Sequence, residues 1–205
     1  MTESEHTTVY LSGAVSPALL PHADHPSLGL LIQPRTDHFM RQHVETFGPW
    51  AIDNDCFSRG ESFDATAWYE WLNTLDRTAL FATAPDVVGD PIETWKRSAP
   101  WLERIRDLGH SAALVAQDGI ELAPIEWDTF DALFIGGSTE WKLSSAAVRL
   151  CWRATANGKH VHIGRVNSKK RYQWARDVAR ADTVDGTYLR FGPTVNVPKM
   201  MRWFE

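Results

Sequence analysis

Eight short apolar segments recur along this 205-residue chain, and helical patterns lie between them. Several of these segments are almost continuously apolar, which is typical of strands that are covered on both faces in a parallel sheet. Alternation of strands and helices over the whole length predicts an α/β fold with right-handed crossovers. The predicted strands span residues 9–11, 28–32, 50–53, 80–84, 112–116, 132–135, 160–163 and 183–185.

Five of the segments end in a carboxylate, an amide or a glycine pair, which are residues typical of binding and catalytic sites. These residues are Asp53, Asp86, Gln117, the pair Gly136 and Gly137, and Asp185. A parallel β/α barrel builds its active site from the carboxyl ends of its strands. An open doubly wound sheet is the competing architecture, but the chain has neither a glycine-rich dinucleotide loop nor a phosphate-loop lysine motif. The pattern therefore favours a compact TIM-like (β/α)8 barrel, a single domain over residues 1–205, and an enzyme.

The helix signals support this alternation. Asp64 is predicted to cap one helix, and Pro91 lies at a first-turn position of the next helix, which ends at Gly109. Segments 141–157 and 168–180 are predicted to be the last two helices. At 205 residues the barrel is at the small end of the range for this fold, so its loops are expected to be short.

Cysteine usage and hydropathy narrow the class of protein. The only cysteines, Cys56 and Cys151, are far apart in sequence, which argues against a disulfide framework and a thiolate zinc site. No run of about 18 apolar residues is present, and the first six residues are polar. We therefore expect a cytoplasmic protein with no membrane partner, no metal and no cofactor.

The net charge of −5 hides an uneven distribution. Residues 1–140 carry 8 basic and 22 acidic side chains, whereas residues 141–205 carry 13 basic and 4 acidic ones. Basic residues on one face of a protein attract a phosphate backbone, because binding releases its counterions. A solvated amphipathic helix explains the pattern equally well. The candidate phosphate-binding residues are Arg165, Lys169, Lys170 and Arg171.

The acidic residues at the strand ends indicate a reaction class. A lone Asp in such a position is as often a turn or helix cap as a catalytic group. Asp182 and Asp185 are three residues apart, so only one of them can point into a site, and Asp185 is favoured because Gly186 leaves open space. Paired carboxylates with an amide suited to a nucleobase edge, Gln117, favour chemistry at an anomeric carbon. One Asp would attack C1′ while a second transfers the proton.

The order of these motifs resembles that of the queuine and archaeosine tRNA-guanine transglycosylases. The resemblance spans about residues 50–190 and is closest to shortened phage and bacterial relatives that exchange guanine in DNA for a 7-deazaguanine base. It implies a β/α barrel. The motifs are Asp53-Asn-Asp-Cys-Phe57, Asp86, Val115-Ala-Gln117-Asp-Gly119, Ile135-Gly136-Gly137 with Glu140, His162-Ile163-Gly164-Arg165 and Asp182-Thr-Val-Asp185.

The resemblance also implies a role for each matching residue. Asp185 would be the nucleophile and Asp53 the general acid and base. The remaining residues would bind the base: Asp86 and Gln117 through its Watson-Crick edge, Gly136 and Gly137 through backbone contacts, Glu140 beside them, and Ile163 and Gly164 as an apolar wall. The implied partners are DNA and a free 7-deazaguanine base.

Two departures from the family pattern modify these expectations. The cysteines and histidine of the family's zinc site have no counterpart after Asp185, so zinc is not expected and DNA is preferred over tRNA as substrate. Asp55 and Cys56 replace two glycines and are expected to reshape the loop beside the base. If the chain is phage-encoded, its location is the host cytoplasm. A partner protein or a homodimer stays open.

Three alternatives remain at this stage. His160 and His162, together with Asp185, could serve a metal-dependent hydrolase, although no further histidine accumulates at the strand ends. A glycosidase or transferase of free nucleosides would keep both aspartates without needing the basic face. A non-catalytic barrel that binds a modified base or another protein is the third alternative.

Overall fold

The computed structural model describes residues 7–205, which form a closed barrel of eight parallel strands. Each strand pairs with its neighbour in sequence, and β8 pairs with β1 to close the ring. This confirms the predicted (β/α)8 barrel. The strands are β1 (Val9–Ser12), β2 (Leu28–Ile32), β3 (Trp50–Ile52), β4 (Ala82–Thr83), β5 (Ala112–Ala116), β6 (Ala132–Ile135), β7 (His160–Ile163) and β8 (Thr183–Gly186).

Helices surround this barrel and fill most of the connections between strands. Short 3-10 turns form part of the remaining connections, at Leu20–His22, Gly60–Ser62, Ile120–Leu122 and Trp127–Thr129. The α-helices are α1 (His38–Gln42), α2 (Cys56–Arg59), α3 (Ala65–Leu72), α4 (Pro91–Asp107), α5 (Thr139–Lys142), α6 (Ser145–Ala156), α7 (Lys169–Trp174) and α8 (Pro193–Met201).

The ends of the helices follow local sequence signals. Asp64 and Asp90 cap α3 and α4, and each carboxylate accepts hydrogen bonds from two backbone N–H groups of the first turn. The predicted helix over residues 141–157 is interrupted, because Ser144 caps a new helix, α6. The predicted helix over 168–180 changes from α7 to a π-helical segment, Ala175–Ala179.

The hydrophobic core has an inner and an outer part. The inner part fills the barrel, and three of its six buried residues are alanines, which leaves room for the aromatic rings of Phe81 and Phe134. The outer part lies between the strands and the helices and contains most of the other buried apolar side chains. Because side chains alternate along a strand, residues two positions beyond the inner core point into the mouth of the barrel.

Gly29 on β2 is a position where the backbone tolerates no side chain. A Cβ atom there would overlap the carbonyl oxygen of Pro49 and lie 2.7 Å from Leu11 Cδ2. We expect Gly29→Ala to destabilise the fold by about 1–3 kcal/mol, the usual range for overpacking. Gly13→Ala is the matched control, since nothing lies within 4 Å of a Cβ at that position. Urea unfolding of both variants measures the difference, and equal stabilities would contradict the account.

Among residues 7–205, none of the helices combines the length and the apolar character needed to cross a bilayer. The first six residues, on which the expectation of a cytoplasmic protein partly rested, lie outside the described part of the chain.

Candidate active site

A cavity of about 340 Å³ opens at the carboxyl ends of the strands. Asp53 lies two residues beyond the inner-core residue Ala51, and Asp185 lies two residues beyond the buried Thr183, so both carboxylates point into the barrel mouth. The size suits a small organic ligand. Eight of the predicted site residues line it: Asp53, Asp86, Gln117, Gly136, Gly137, Gly164, Arg165 and Asp185.

Asp53 is the carboxyl group that the cavity perturbs most. Burial, which is the largest cause, and the negative charges of Asp185, Asp86 and Asp55 together raise its pKa to about 7. A carboxyl group with a pKa near neutrality can donate a proton and take it back at physiological pH. Asp53 can therefore exchange a proton near physiological pH.

Asp86 is held by two side-chain amides. Asn54 Nδ2 donates to its Oδ1 at 2.9 Å, and Gln117 Nε2 donates to its Oδ2 at 2.8 Å. Burial raises the pKa of Asp86, while hydrogen bonds from Asn54, Cys56 and Gln117 act in the opposite direction. A carboxylate oxygen has more than one acceptor site, so each oxygen can still accept a hydrogen bond from a ligand. The network presents a fixed acceptor pair to the cavity.

Gln117 is itself anchored, because its Oε1 accepts a hydrogen bond from the backbone N–H of Gly89 at 3.0 Å. Asn54 Oδ1 accepts from the N–H of Cys56 at 2.8 Å, at the start of α2. Asp55 lies between these residues with a φ of 67° and forms ion pairs with Arg35 and Arg59. The loop after β3 is thereby held so that Asn54 faces Asp86.

Asp185 lies on the other side of the mouth and contacts His162. The distance from His162 Nε2 to Asp185 Oδ1 is 3.0 Å, and the backbone N–H of Arg165 donates to the same oxygen at 3.3 Å. Asp182 points away from the cavity, where its Oδ2 accepts from the N–H of Val161 at 2.8 Å. The preference for Asp185 over Asp182 agrees with this placement.

Gly136 and Gly137 form one wall of the cavity with their backbones. Both N–H groups donate to the carbonyl oxygen of Ala116, and both carbonyl oxygens accept from the Arg165 guanidinium. A Cβ on Gly136 would lie 2.6 Å from Val115 Cγ1, so the wall has no room for a side chain at this position. Gly136 and Gly137 were predicted to offer backbone contacts to a base, and in this structure their N–H groups and carbonyl oxygens already have partners within the protein.

The remaining predicted residues lie outside this cavity. Glu140 is an exposed residue of α5, and Ile163 is buried in the outer core. Lys169, Lys170 and Arg171 lie on the first turn of α7, which begins at the same end of the barrel as the mouth. Lys169 Nζ also donates to the carbonyl oxygen of Arg202 at 2.5 Å.

Three residues near the site were not predicted as ligands or catalysts. Asn54 could have been found from its place directly after Asp53 at a strand end. His162 was considered for a metal pair and belongs to one of the motifs, but it was given no role beside Asp185, because that contact depends on the pairing of β7 with β8. Lys142 is buried and donates to the carbonyl oxygen of Gly164 at 2.6 Å, and burial lowers its pKa to about 7. No sequence signal distinguishes that lysine.

The two histidines considered for a metal site are hydrogen-bonded inside the barrel. His160 Nε2 and His162 Nδ1 each lie 2.8 Å from Thr183 Oγ1. Within residues 7–205, no group of three or more histidine, cysteine, aspartate or glutamate residues is arranged to hold a metal ion.

Comparisons with known proteins identify the fold. No protein-family model matches the chain, and no curated protein matches it in sequence. Tryptophan synthase from M. tuberculosis, in an aminoacrylate- and BRD0059-bound form, aligns with a TM-score of 0.55 and 12% identity over 98% of this chain and 90% of that chain. The tryptophan synthase A-subunit from Pyrococcus furiosus aligns with a TM-score of 0.51 and 14% identity over 100% and 98%.

These matches correct the family assignment made from sequence. The barrel is similar in structure to tryptophan synthase barrels and not to tRNA-guanine transglycosylases, and no sequence-level match supports the latter family. The motifs that carried the resemblance are short, and polar residues at strand ends are common to barrels of many activities. At 12–14% identity the similarity establishes the architecture, a TIM-type β/α barrel.

Proposed function

We propose that this protein is a base-exchange glycosyltransferase that replaces guanine in DNA with a 7-deazaguanine base through a covalent aspartyl intermediate. The observation that carries the proposal is the pair Asp53 and Asp185. Both carboxyl groups line one cavity, and burial together with the charge of Asp185 raises the pKa of Asp53 to about 7. In glycosyl transfer, two carboxyl groups in different environments have different pKa values, so one can act as the acid while the other acts as the nucleophile.

The proposed reaction has two balanced steps. In the first, an oxygen of Asp185 forms a bond to C1′ while the bond from C1′ to the guanine nitrogen breaks, and Asp53 gives its proton to the leaving base. In the second, the incoming base loses its N–H proton to Asp53 and attacks C1′, which releases the Asp185 carboxylate. The proton is returned and the enzyme is regenerated without another reactant.

The distribution of charge around the cavity supports a purine as the group that enters it. Asp53, Asp86 and Asp185 make the interior rich in hydrogen-bond acceptors and unfavourable for a phosphate. Guanine presents adjacent N–H donors on its Watson-Crick edge, which match the two oxygens of Asp86. The second N–H of Gln117 remains for an acceptor on the base.

Positive and aromatic side chains surround the entrance and support a polynucleotide as the substrate. Arg165 and Arg190 line the cavity, and the Arg165 guanidinium lies 5.5 Å from the ring centre of Phe57. The Phe57 side chain is 69% exposed at the entrance, where it could stack on a base next to the one that enters. A base must leave the duplex stack to reach the cavity, and the phosphates on either side of it would then lie at the entrance, where they would contact these arginines.

Mass spectrometry of nucleosides tests this function directly. The protein is incubated with a 7-deazaguanine base and, in separate reactions, with single-stranded or duplex DNA, with tRNA or with free guanine nucleosides. The products are then analysed for the new nucleoside. The proposal predicts incorporation of the base with stoichiometric release of guanine. Modified tRNA or a modified free nucleoside, with unchanged DNA, would overturn the choice of substrate. Binding without any exchange would support the non-catalytic alternative.

Basic residues on α7 give a separate prediction for DNA binding. Charge reversal to Glu at Lys169, Lys170 and Arg171 should weaken DNA binding and reduce the salt dependence of the dissociation constant by about one unit of slope per lost phosphate contact. The matched control reverses Arg153, Lys159 and Arg180, which lie toward the opposite end of the barrel. Fluorescence anisotropy across salt concentrations makes the measurement, and equal slopes for both triple variants would contradict the prediction.

A further inference from the structure

A chain of hydrogen bonds runs through the barrel interior to the proposed nucleophile. His160 Nε2 lies 2.8 Å from Thr183 Oγ1, which lies 2.8 Å from His162 Nδ1. His162 Nε2 in turn lies 3.0 Å from Asp185 Oδ1. Both His162 and Thr183 are buried, so the chain is shielded from water between its first member and the cavity.

The direction of the last hydrogen bond follows from the chemistry of its partners. An ionised carboxylate can only accept, so His162 must carry a hydrogen on Nε2. The imidazole cannot turn freely, because its ring centre lies 5.1 Å from that of Phe81 and 4.3 Å from that of Phe134. Thr183 Oγ1 contacts the other ring nitrogen, Nδ1, and a hydrogen bond to one nitrogen of an imidazole fixes the orientation and tautomer of the ring.

The consequence for Asp185 is that its two oxygens are not equivalent. Oδ1 accepts from His162 Nε2 and from the backbone N–H of Arg165. Within residues 7–205, Oδ2 has no hydrogen-bond partner, and the residue lines the cavity. An oxygen without donors is the better nucleophile, because attack does not require it to lose a hydrogen bond first.

We propose that His162, oriented by Thr183, is a positioning residue that fixes Oδ1 of Asp185 and leaves Oδ2 to attack C1′. This inference rests on the proposed function, since it assigns a nucleophilic role to Asp185. It extends that function by naming the attacking oxygen and the residues that orient it. His162 stabilises the geometry of the nucleophile without touching the substrate.

Substitution of Thr183 tests the positioning role by kinetics. Thr183→Val removes the hydroxyl group at nearly constant size, and we expect kcat for base exchange to fall about tenfold with little change in KM. Thr183→Ser keeps the hydroxyl group and should retain activity close to that of the unmodified protein. A Val variant that folds and retains full kcat would overturn the proposal, and so would a Ser variant as impaired as the Val variant.

Nitrogen NMR of the histidine side chains tests the same geometry without any activity. In the unmodified protein, the Nε2 of His162 should be protonated, and its N–H signal should be protected from exchange with water. Thr183→Val should broaden that signal, whereas Thr183→Ser should not. An unprotonated Nε2 in the unmodified protein would overturn the positioning role even if the Val variant does not fold. Failure of base exchange with this NMR signature intact would instead reject the proposed function alone.

Discussion

Asp185→Asn is expected to lower the rate of base exchange by at least about 10⁴-fold, because an uncharged amide cannot form the bond to C1′. The substitution keeps the size of the side chain, and the carbonyl oxygen of the amide can still accept from His162 Nε2. DNA binding should therefore be retained, since the basic residues at the entrance are untouched. Nucleoside mass spectrometry measures the rate, and fluorescence anisotropy measures the binding.

The matched control for this variant is Asp182→Asn. Asp182 lies three residues earlier and points away from the cavity, where an Asn oxygen can still accept the hydrogen bond from the Val161 N–H. This control should exchange bases at nearly the normal rate. Exchange by the Asp185→Asn protein at more than a few per cent of the normal rate would remove Asp185 as the nucleophile.

Asp53→Asn is expected to have the second largest effect, a loss of about 10²–10⁴-fold in the rate of guanine release. Asp53 must be protonated to donate to the leaving base, and burial raises its pKa to about 7. The rate of release should therefore be highest below pH 7 and should decline as the pH rises through that value. The variant should lose this decline together with most of its activity, and single-turnover rates from pH 5 to 9 measure both.

The Asp53 carboxyl group also makes the stability of the fold depend on pH. Its pKa is higher in the folded state, about 7, than the ordinary value of 3.8, so the folded state binds the proton more tightly. The resulting stabilisation is complete below about pH 4 and is lost as the pH rises through 7. Each pH unit between 5 and 7 corresponds to about 1.4 kcal/mol, so this group makes the protein about 3 kcal/mol less stable at pH 8 than at pH 5.

Asp53→Asn should abolish that part of the pH dependence, and urea unfolding of both proteins at pH 5 and pH 8 measures it. If the variant shows the same difference in unfolding free energy as the unmodified protein, Asp53 does not have a raised pKa. In that case it would also be a poor general acid at neutral pH. The stability measurement thus checks the assignment without a substrate.

The strands could be predicted closely from sequence because their apolar runs are short and well separated. Residues 112–116, 132–135 and 160–163 were predicted with the bounds that the structure shows. The helix over 141–157 was less predictable, because its apolar pattern continues through Ser144, where a new N-cap begins. Local capping competes there with a pattern that extends over both helices.

The candidate site was predictable where a polar residue lies at the carboxyl end of a strand, as Asp53 does directly after β3 and Asp185 does near the end of β8. The His162 contact was not, because it depends on the register of β7 against β8, which no local pattern contains. Arg165 has a φ of 63°, and its side chain folds over the Gly136 and Gly137 carbonyl groups. Sequence placed it only among phosphate-binding residues.

The family resemblance failed for a related reason. Its motifs are one to five residues long and lie at strand ends, where β/α barrels of many kinds carry Asp, Gln and Gly-Gly. Their order along the chain follows from the barrel itself, so it adds less information than six independent motifs would. The chemistry proposed for Asp53 and Asp185 rests on the cavity they share and not on that resemblance.

Trapping of the covalent intermediate tests the central claim most directly. The protein is incubated with a guanine-containing oligonucleotide in the absence of an incoming base, quenched in denaturant and examined by intact mass spectrometry. The account predicts an adduct with the mass of the protein plus the oligonucleotide minus guanine, and peptide mapping should place the link at Asp185. Guanine release without an adduct on the protein, or an equal amount of adduct on the Asp185→Asn variant, would contradict it.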